Sequence, residues 1–112
     1  MNQLSLTGKL VERSALRFTP AGIPVVEAQF EHCSELVEGG MLRKLAFTFD
    51  AVLIGDLART LGNEGLGGEM ALRGFVAPRS RRSTRLQVHV TEFTRLEVPA
   101  APAGSSRNDE NS

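Results

Sequence analysis

Polar–apolar alternation at a period of two runs through the body of this 112-residue chain, and it commits the chain to strands rather than helices. Leu4, Leu6, Gly8 and Leu10 alternate with Ser5, Thr7 and Lys9. Within residues 23–33, Val26, Ala28 and Phe30 fall on one face, and Glu27, Gln29 and Glu31 on the other. Within residues 42–54, Leu45, Phe47, Phe49 and Ala51 share a core face, opposite Lys44, Ala46, Thr48 and Asp50. Residues 70–77 and 86–96 complete a set of five strands. The breaks carry turn chemistry: Thr19-Pro20-Ala21-Gly22 reads as a β-turn and Gly39-Gly40 as a hairpin connection. Only residues 54–62 have helical spacing, in Leu57, Ala58 and Leu61, with Asp56 as N-cap and Gly62 as C-cap.

Three strands, a short helix and two strands is the order of the OB-fold. The sequence therefore predicts an all-β protein, a five-stranded Greek-key barrel with a short helix between strands 3 and 4. An SH3-like barrel is the alternative, but it lacks a helix at this point. Gly8 and Gly74 interrupt apolar strands where a small barrel must bend sharply. The folded domain is expected over residues 1–98. The last fourteen residues, from Pro99 to Ser112, contain no large apolar side chain and are expected to be a disordered tail. The first strand has no continuous apolar stretch of the secretory kind, and no run approaches 18 apolar residues. A soluble, cytoplasmic domain with no membrane contact is expected.

Little in the chain suggests catalysis. The single cysteine, Cys33, permits neither an internal disulfide nor a cysteine-rich zinc site. His32 and His89 both fall inside strands, where a lone histidine is usually structural. The glycine-rich stretch 62–68 lacks the Lys-Ser/Thr of a phosphate loop and opens a strand, so it reads as a flexible link. No enzymatic activity, cofactor or metal is expected.

The charges total zero, with 13 bases and 13 acids, yet they are segregated along the chain. Residues 27–38 hold Glu27, Glu31, Glu35 and Glu38 and no base, whereas residues 70–91 hold five arginines and no acid. The densest run is 78–85, with Arg79, Arg81, Arg82 and Arg85 among Ser80, Ser83 and Thr84. Such a run can be a merely solvated loop. It is also a phosphate-binding device, because guanidinium forks match phosphate oxygens and hydroxyls add donors. An OB-fold receives single strands across the face of its second and third strands, with its last loop closing over them. Arg17, Arg43, Lys44, Arg79, Arg81, Arg82 and Arg85 are accordingly the candidate nucleic-acid-binding residues.

The run Arg17-Phe18-Thr19-Pro20-Ala21-Gly22-Ile23-Pro24 resembles the R-x-(S/T)-P-(S/A)-G-I-P segment of the primosomal replication protein N (PriB) family. Glu31-His32, Arg73-Gly74-Phe75 and Leu86-Gln87-Val88-His89 are similar to that family's acid–His pair, Gly-Phe pair and strand-five His. The resemblance covers about residues 2–97. It implies a homodimer of OB-folds that binds single-stranded DNA without sequence specificity and assists the restart helicase and other primosome components. Arg17 and the four loop arginines take the positions of the family's basic loop residues. Met41 and Ala46 stand where the family has an aromatic and a Trp, and Cys33 where it has an arginine. With no Trp or Tyr anywhere in the chain, binding should lean on arginine–phosphate contacts. Two other readings fit the sequence: a general single-stranded DNA-binding protein, whose partner-docking tail would end in a hydrophobe absent here, and a protein–protein adaptor that docks a basic partner on residues 27–38.

Overall fold

The computed structural model describes residues 1–96, so the expected tail from residue 99 lies outside the described residues. In chain order the elements are β1 (Leu4–Arg13), β2 (Arg17–Phe18), β3 (Pro24–Glu38), β4 (Met41–Ile54), α1 (Asp56–Gly62), β5 (Glu69–Pro78) and β6 (Leu86–Arg95). The sheet runs β1-β5-β6-β4-β3-β2, and a further β1–β3 pairing closes five of the strands into a barrel. The short β2 is an addition at the edge of β3, where Arg17 faces Val25 and Phe18 faces Pro24. Counting barrel strands alone, α1 sits between the third and fourth, as the sequence predicts.

Closure is made by β1. Its residues 4–9 pair with β5, and its residues 9–13 pair with β3 across an irregularity between Leu10 and Glu12. An extra residue in one strand bends it and increases its twist, which lets β1 turn from one partner to the other. The strand alternation is realised as a buried interior of Leu10, Val26, Phe30, Leu53, Met70, Leu72, Val88 and Val90. Burying a side chain of this size contributes about 1.5–3 kcal/mol. Ala58 and Leu61 of α1 are also fully buried in this cluster, so the helix plugs one end of the barrel.

Two local expectations are corrected at this helix. Gly55, with φ 83°, is the N-cap, and Asp56 is the first helical residue. Asn63 rather than Gly62 is the C-cap. The chain must turn sharply out of β4 to place the plug, and only glycine takes that positive φ without strain. The Gly55 N–H is held by the Pro24 carbonyl at 2.9 Å.

β3 is longer than its patterning suggests, reaching Glu38 rather than Cys33, while β4 keeps its expected span to within one residue. Gly39 and Gly40, with φ 61° and 80°, form a two-residue turn of the kind that matches strand twist. The ladder then continues unbroken from Glu38↔Met41 to Val25↔Ile54. Beyond Cys33 the hairpin leaves the barrel, so apolar alternation stops while backbone pairing persists. Phe47 lies on the inward face with Leu45 and Phe49, as expected, yet it is 41% exposed because it sits at the barrel rim. Its ring joins a chain of aromatic contacts from His32 through Phe47 and Phe49 to Phe30.

The two bending glycines are sites of close approach. A Cβ on Gly8 would lie 3.0 Å from the Cβ of Phe30. At Gly74, where the β5–β6 register shifts, a Cβ would collide with the His89 carbonyl oxygen. Backbone cannot swing aside as a side chain can. Gly74→Ala should therefore destabilise the fold by at least about 2 kcal/mol, a fall in Tm of about 8–16 °C. Thermal unfolding followed by circular dichroism checks this.

Candidate nucleic-acid interface

Strand pairing converts the segregated charges of the sequence into local pairs. Each acid of β3 stands beside or opposite a base. Glu27 accepts from Arg17 at 3.1 Å. Glu31 stands opposite Lys9 of β1, and Glu35 opposite Lys44 of β4. Glu38, at the hairpin turn, binds Arg43 at 2.8 Å. Arg43 and Lys44 are consecutive in a strand, so they point to opposite faces. Lys44 lies on the outward face with Ala46 and Thr48; Arg43 lies on the face of Leu45 and Phe47. The two residues do not act on one surface.

The loop between β5 and β6 is built in the same way. Its ends are joined by the Arg79 N–H donating to the Arg85 carbonyl at 2.9 Å, and a turn forms where the Ser83 N–H donates to the Ser80 carbonyl at 3.2 Å. The Ser83 hydroxyl accepts from the Arg85 N–H at 3.0 Å. Asp50 of β4, three-quarters buried, holds Arg85 at 3.2 Å and Arg79 at 3.9 Å, and also accepts from the Gln29 side-chain amide at 3.3 Å. Asp50 thus fixes the loop over the outer face of β4. The sequence places Asp50 on the correct face, but its partners lie about thirty residues away through the parallel β4–β6 pairing, which no local pattern reveals.

Arg81 and Arg82 occupy the loop tip, and among the described residues neither has an acidic partner. Of the seven candidates, the structure brings together Arg79, Arg81, Arg82 and Arg85. Arg17 stands on the far side of the outward face, in β2. The positions where the resemblance leaves an arginine and a Trp missing, Cys33 and Ala46, face each other across β3 and β4. They form a patch with neither charge nor ring.

His32 is buried, with Nδ1 at 2.7 Å from the Thr7 carbonyl and Nε2 at 2.8 Å from the Ser34 hydroxyl. Both ring nitrogens are occupied, Nδ1 in tying β3 to β1 and Nε2 within β3, which is a structural role. No group of three or more His, Cys, Asp or Glu among the described residues could hold a metal ion. No helix among them is long and apolar enough to cross a membrane.

A family profile described as another single-strand binding protein family matches residues 2–92. The replication restart protein PriB of Bordetella pertussis is 41% identical over 96 residues, covering 86% of this chain and 90% of the relative. The chain belongs to the PriB family. The PriB of Nitrosomonas europaea is 33% identical over 81% of this chain and 84% of its own. Among solved structures, the PriB protein of Ralstonia solanacearum superposes with a TM-score of 0.78 at 29% identity, covering 87% of this chain and 99% of that one. The single-stranded DNA-binding protein from Thermus aquaticus shares the barrel at a TM-score of 0.70 and 22% identity, over 87% of this chain and half of that chain. PriB membership agrees with the fold.

Proposed function

We propose that this PriB-family protein is a single-stranded DNA-binding accessory factor of replication restart, which holds DNA without sequence specificity through arginine–phosphate contacts and assists the restart helicase. One observation carries the reading: Arg81 and Arg82 lie exposed on an ordered loop at the rim of an OB barrel, and among the described residues no acid pairs with them. Guanidinium groups in that setting are ready phosphate donors. Arg17, Arg43, Arg73, Arg79, Arg85 and Arg95 are each paired with an acid, so binding is concentrated at this loop, with Arg79 and Arg85 held beside it. Arg17 and Lys44 flank the outward face and would be secondary contacts. A role as an adaptor on the acidic segment has less support, since Glu27 and Glu38 are engaged by arginines of the same chain.

Charge reversal at the tip, Arg81→Glu with Arg82→Glu, should weaken oligo(dT) binding several-fold. It should also reduce the slope of log K against log salt by about 1.4, from roughly 0.7 per single-strand phosphate contact. Fluorescence anisotropy at several salt concentrations measures both. An unchanged affinity in the folded double variant removes the loop from the site.

The same reading includes a homodimer. Among the described residues, 4–8 of β1 pair only with β5, which leaves a strand edge open beside the protruding hairpin. Leu36, Val37, Met41 and Leu42 are exposed on that hairpin. An open edge next to apolar surface is a place for another chain to pair. Light scattering should give twice the chain mass; a monomer mass at micromolar concentration refutes this part.

A further inference from the structure

The proposed phosphate contacts leave unexplained how a chain without Trp or Tyr would hold the bases of a single strand. The outer surface of β5 and β6 carries an aromatic pair that those contacts do not use. Phe75 and His89 are cross-strand partners, and their rings stack at 4.8 Å between centroids with 15° between planes. Phe75 remains 36% exposed. It lines a groove of about 480 Å³ together with Asn2, Ser5, Arg73 and Thr91. Asn2 is fixed there by two hydrogen bonds to the backbone of Val76, at 2.7 and 3.0 Å. Arg73 pairs with Glu92 at 3.4 Å, but both side chains are more than half exposed. Exposed pairs of this kind are weak, so the guanidinium can exchange Glu92 for a phosphate.

We infer that the Phe75–His89 stack is a nucleobase platform, with Arg73 beside it as a phosphate contact, extending the DNA path from the basic loop onto β5. The inference rests on the single-strand reading above and adds a stacking site to it. An exposed ring already held flat by a second ring is pre-organised, and stacking is tolerant of base identity because every base has a π-face. Phe75 lies three residues from Pro78, about 10 Å along an extended strand, so one DNA segment can touch both the platform and the loop. The site takes an unpaired base, purine or pyrimidine, because what it offers is a ring face. It also differs in position from the face of Cys33 and Ala46, where the family resemblance locates the missing arginine and Trp.

Two variants test it, each checked for folding by thermal melting. Phe75→Leu should lower affinity for oligo(dT) at least about five-fold while leaving the salt slope unchanged, because a stacked base and not a phosphate contact is lost. Phe75→Trp should bind as well as the native chain or better. Its indole is the sole Trp in the molecule, and its fluorescence should be quenched by saturating oligo(dT). Native affinity in Phe75→Leu, or an unquenched Trp at saturation, overturns the platform while leaving the basic loop in place. If the native chain itself does not bind oligo(dT) at low salt, the single-strand reading fails and the platform falls with it. Should Phe75→Leu not fold, the quenching of Phe75→Trp decides the matter.

Discussion

Barrel closure rests on β1 being shared between two partners, with β5 taking residues 4–9 and β3 taking residues 9–13. A single strand can serve two neighbours only if it bends. Here the irregularity after Leu10 and the bare Cα of Gly8 against Phe30 make the bend possible. Once β1 is so placed, β3 and β4 lie side by side with their outward faces in register, α1 plugs one end, and the β5–β6 loop hangs over β4. The pairing of Asp50 with Arg79 and Arg85, and of Glu31 across from Lys9, follows from that closure.

Charge is where sequence and structure differ most in meaning. Along the chain the acids and arginines form separate blocks, which suggests an acidic face and a basic face. Antiparallel pairing instead sets Glu31 opposite Lys9 and Glu35 opposite Lys44, and long-range contacts bring Arg17 to Glu27 and Arg79 and Arg85 to Asp50. Each surface pair contributes at most about 1 kcal/mol to stability. Their larger effect is to mask charge, so that little of the basic block remains available. The remainder sits at Arg81 and Arg82, on an exposed loop. A protein of zero net charge can in this way keep a focused site for an anionic chain.

The barrel was legible because its interior is built from strict alternation: Val26, Ala28 and Phe30, or Leu45, Phe47, Phe49 and Ala51, announce their face directly. The helix was legible from Leu57, Ala58 and Leu61. Its caps were not, since Gly55 is selected by the exit angle from β4, a property of the assembled barrel. The length of β3 was also hidden. Its residues 34–38 pair with β4 outside the core, so hydrogen bonding continues there without any apolar pattern to mark it. Among the site residues, the loop arginines stood out by density alone. Arg43 and Lys44 looked like one unit in sequence, but strand parity sends them to opposite faces. The partners of Asp50 and His89, Arg79 and Arg85 for one and Phe75 for the other, escaped notice because they are assembled only by the β4–β6 and β5–β6 pairings.

The central claim is that intramolecular pairing decides which arginines are free to meet DNA, and Asp50 is where it can be tested most directly. Asp50→Asn removes one negative charge and releases Arg79 and Arg85, while the loop keeps its own backbone and Ser83 hydrogen bonds. Oligo(dT) titrations across a range of salt should then show tighter binding, with a salt slope steeper by up to about 1.4 as two more phosphate contacts form. Binding that is unchanged or weaker, with an unaltered slope in a folded variant, would contradict the account.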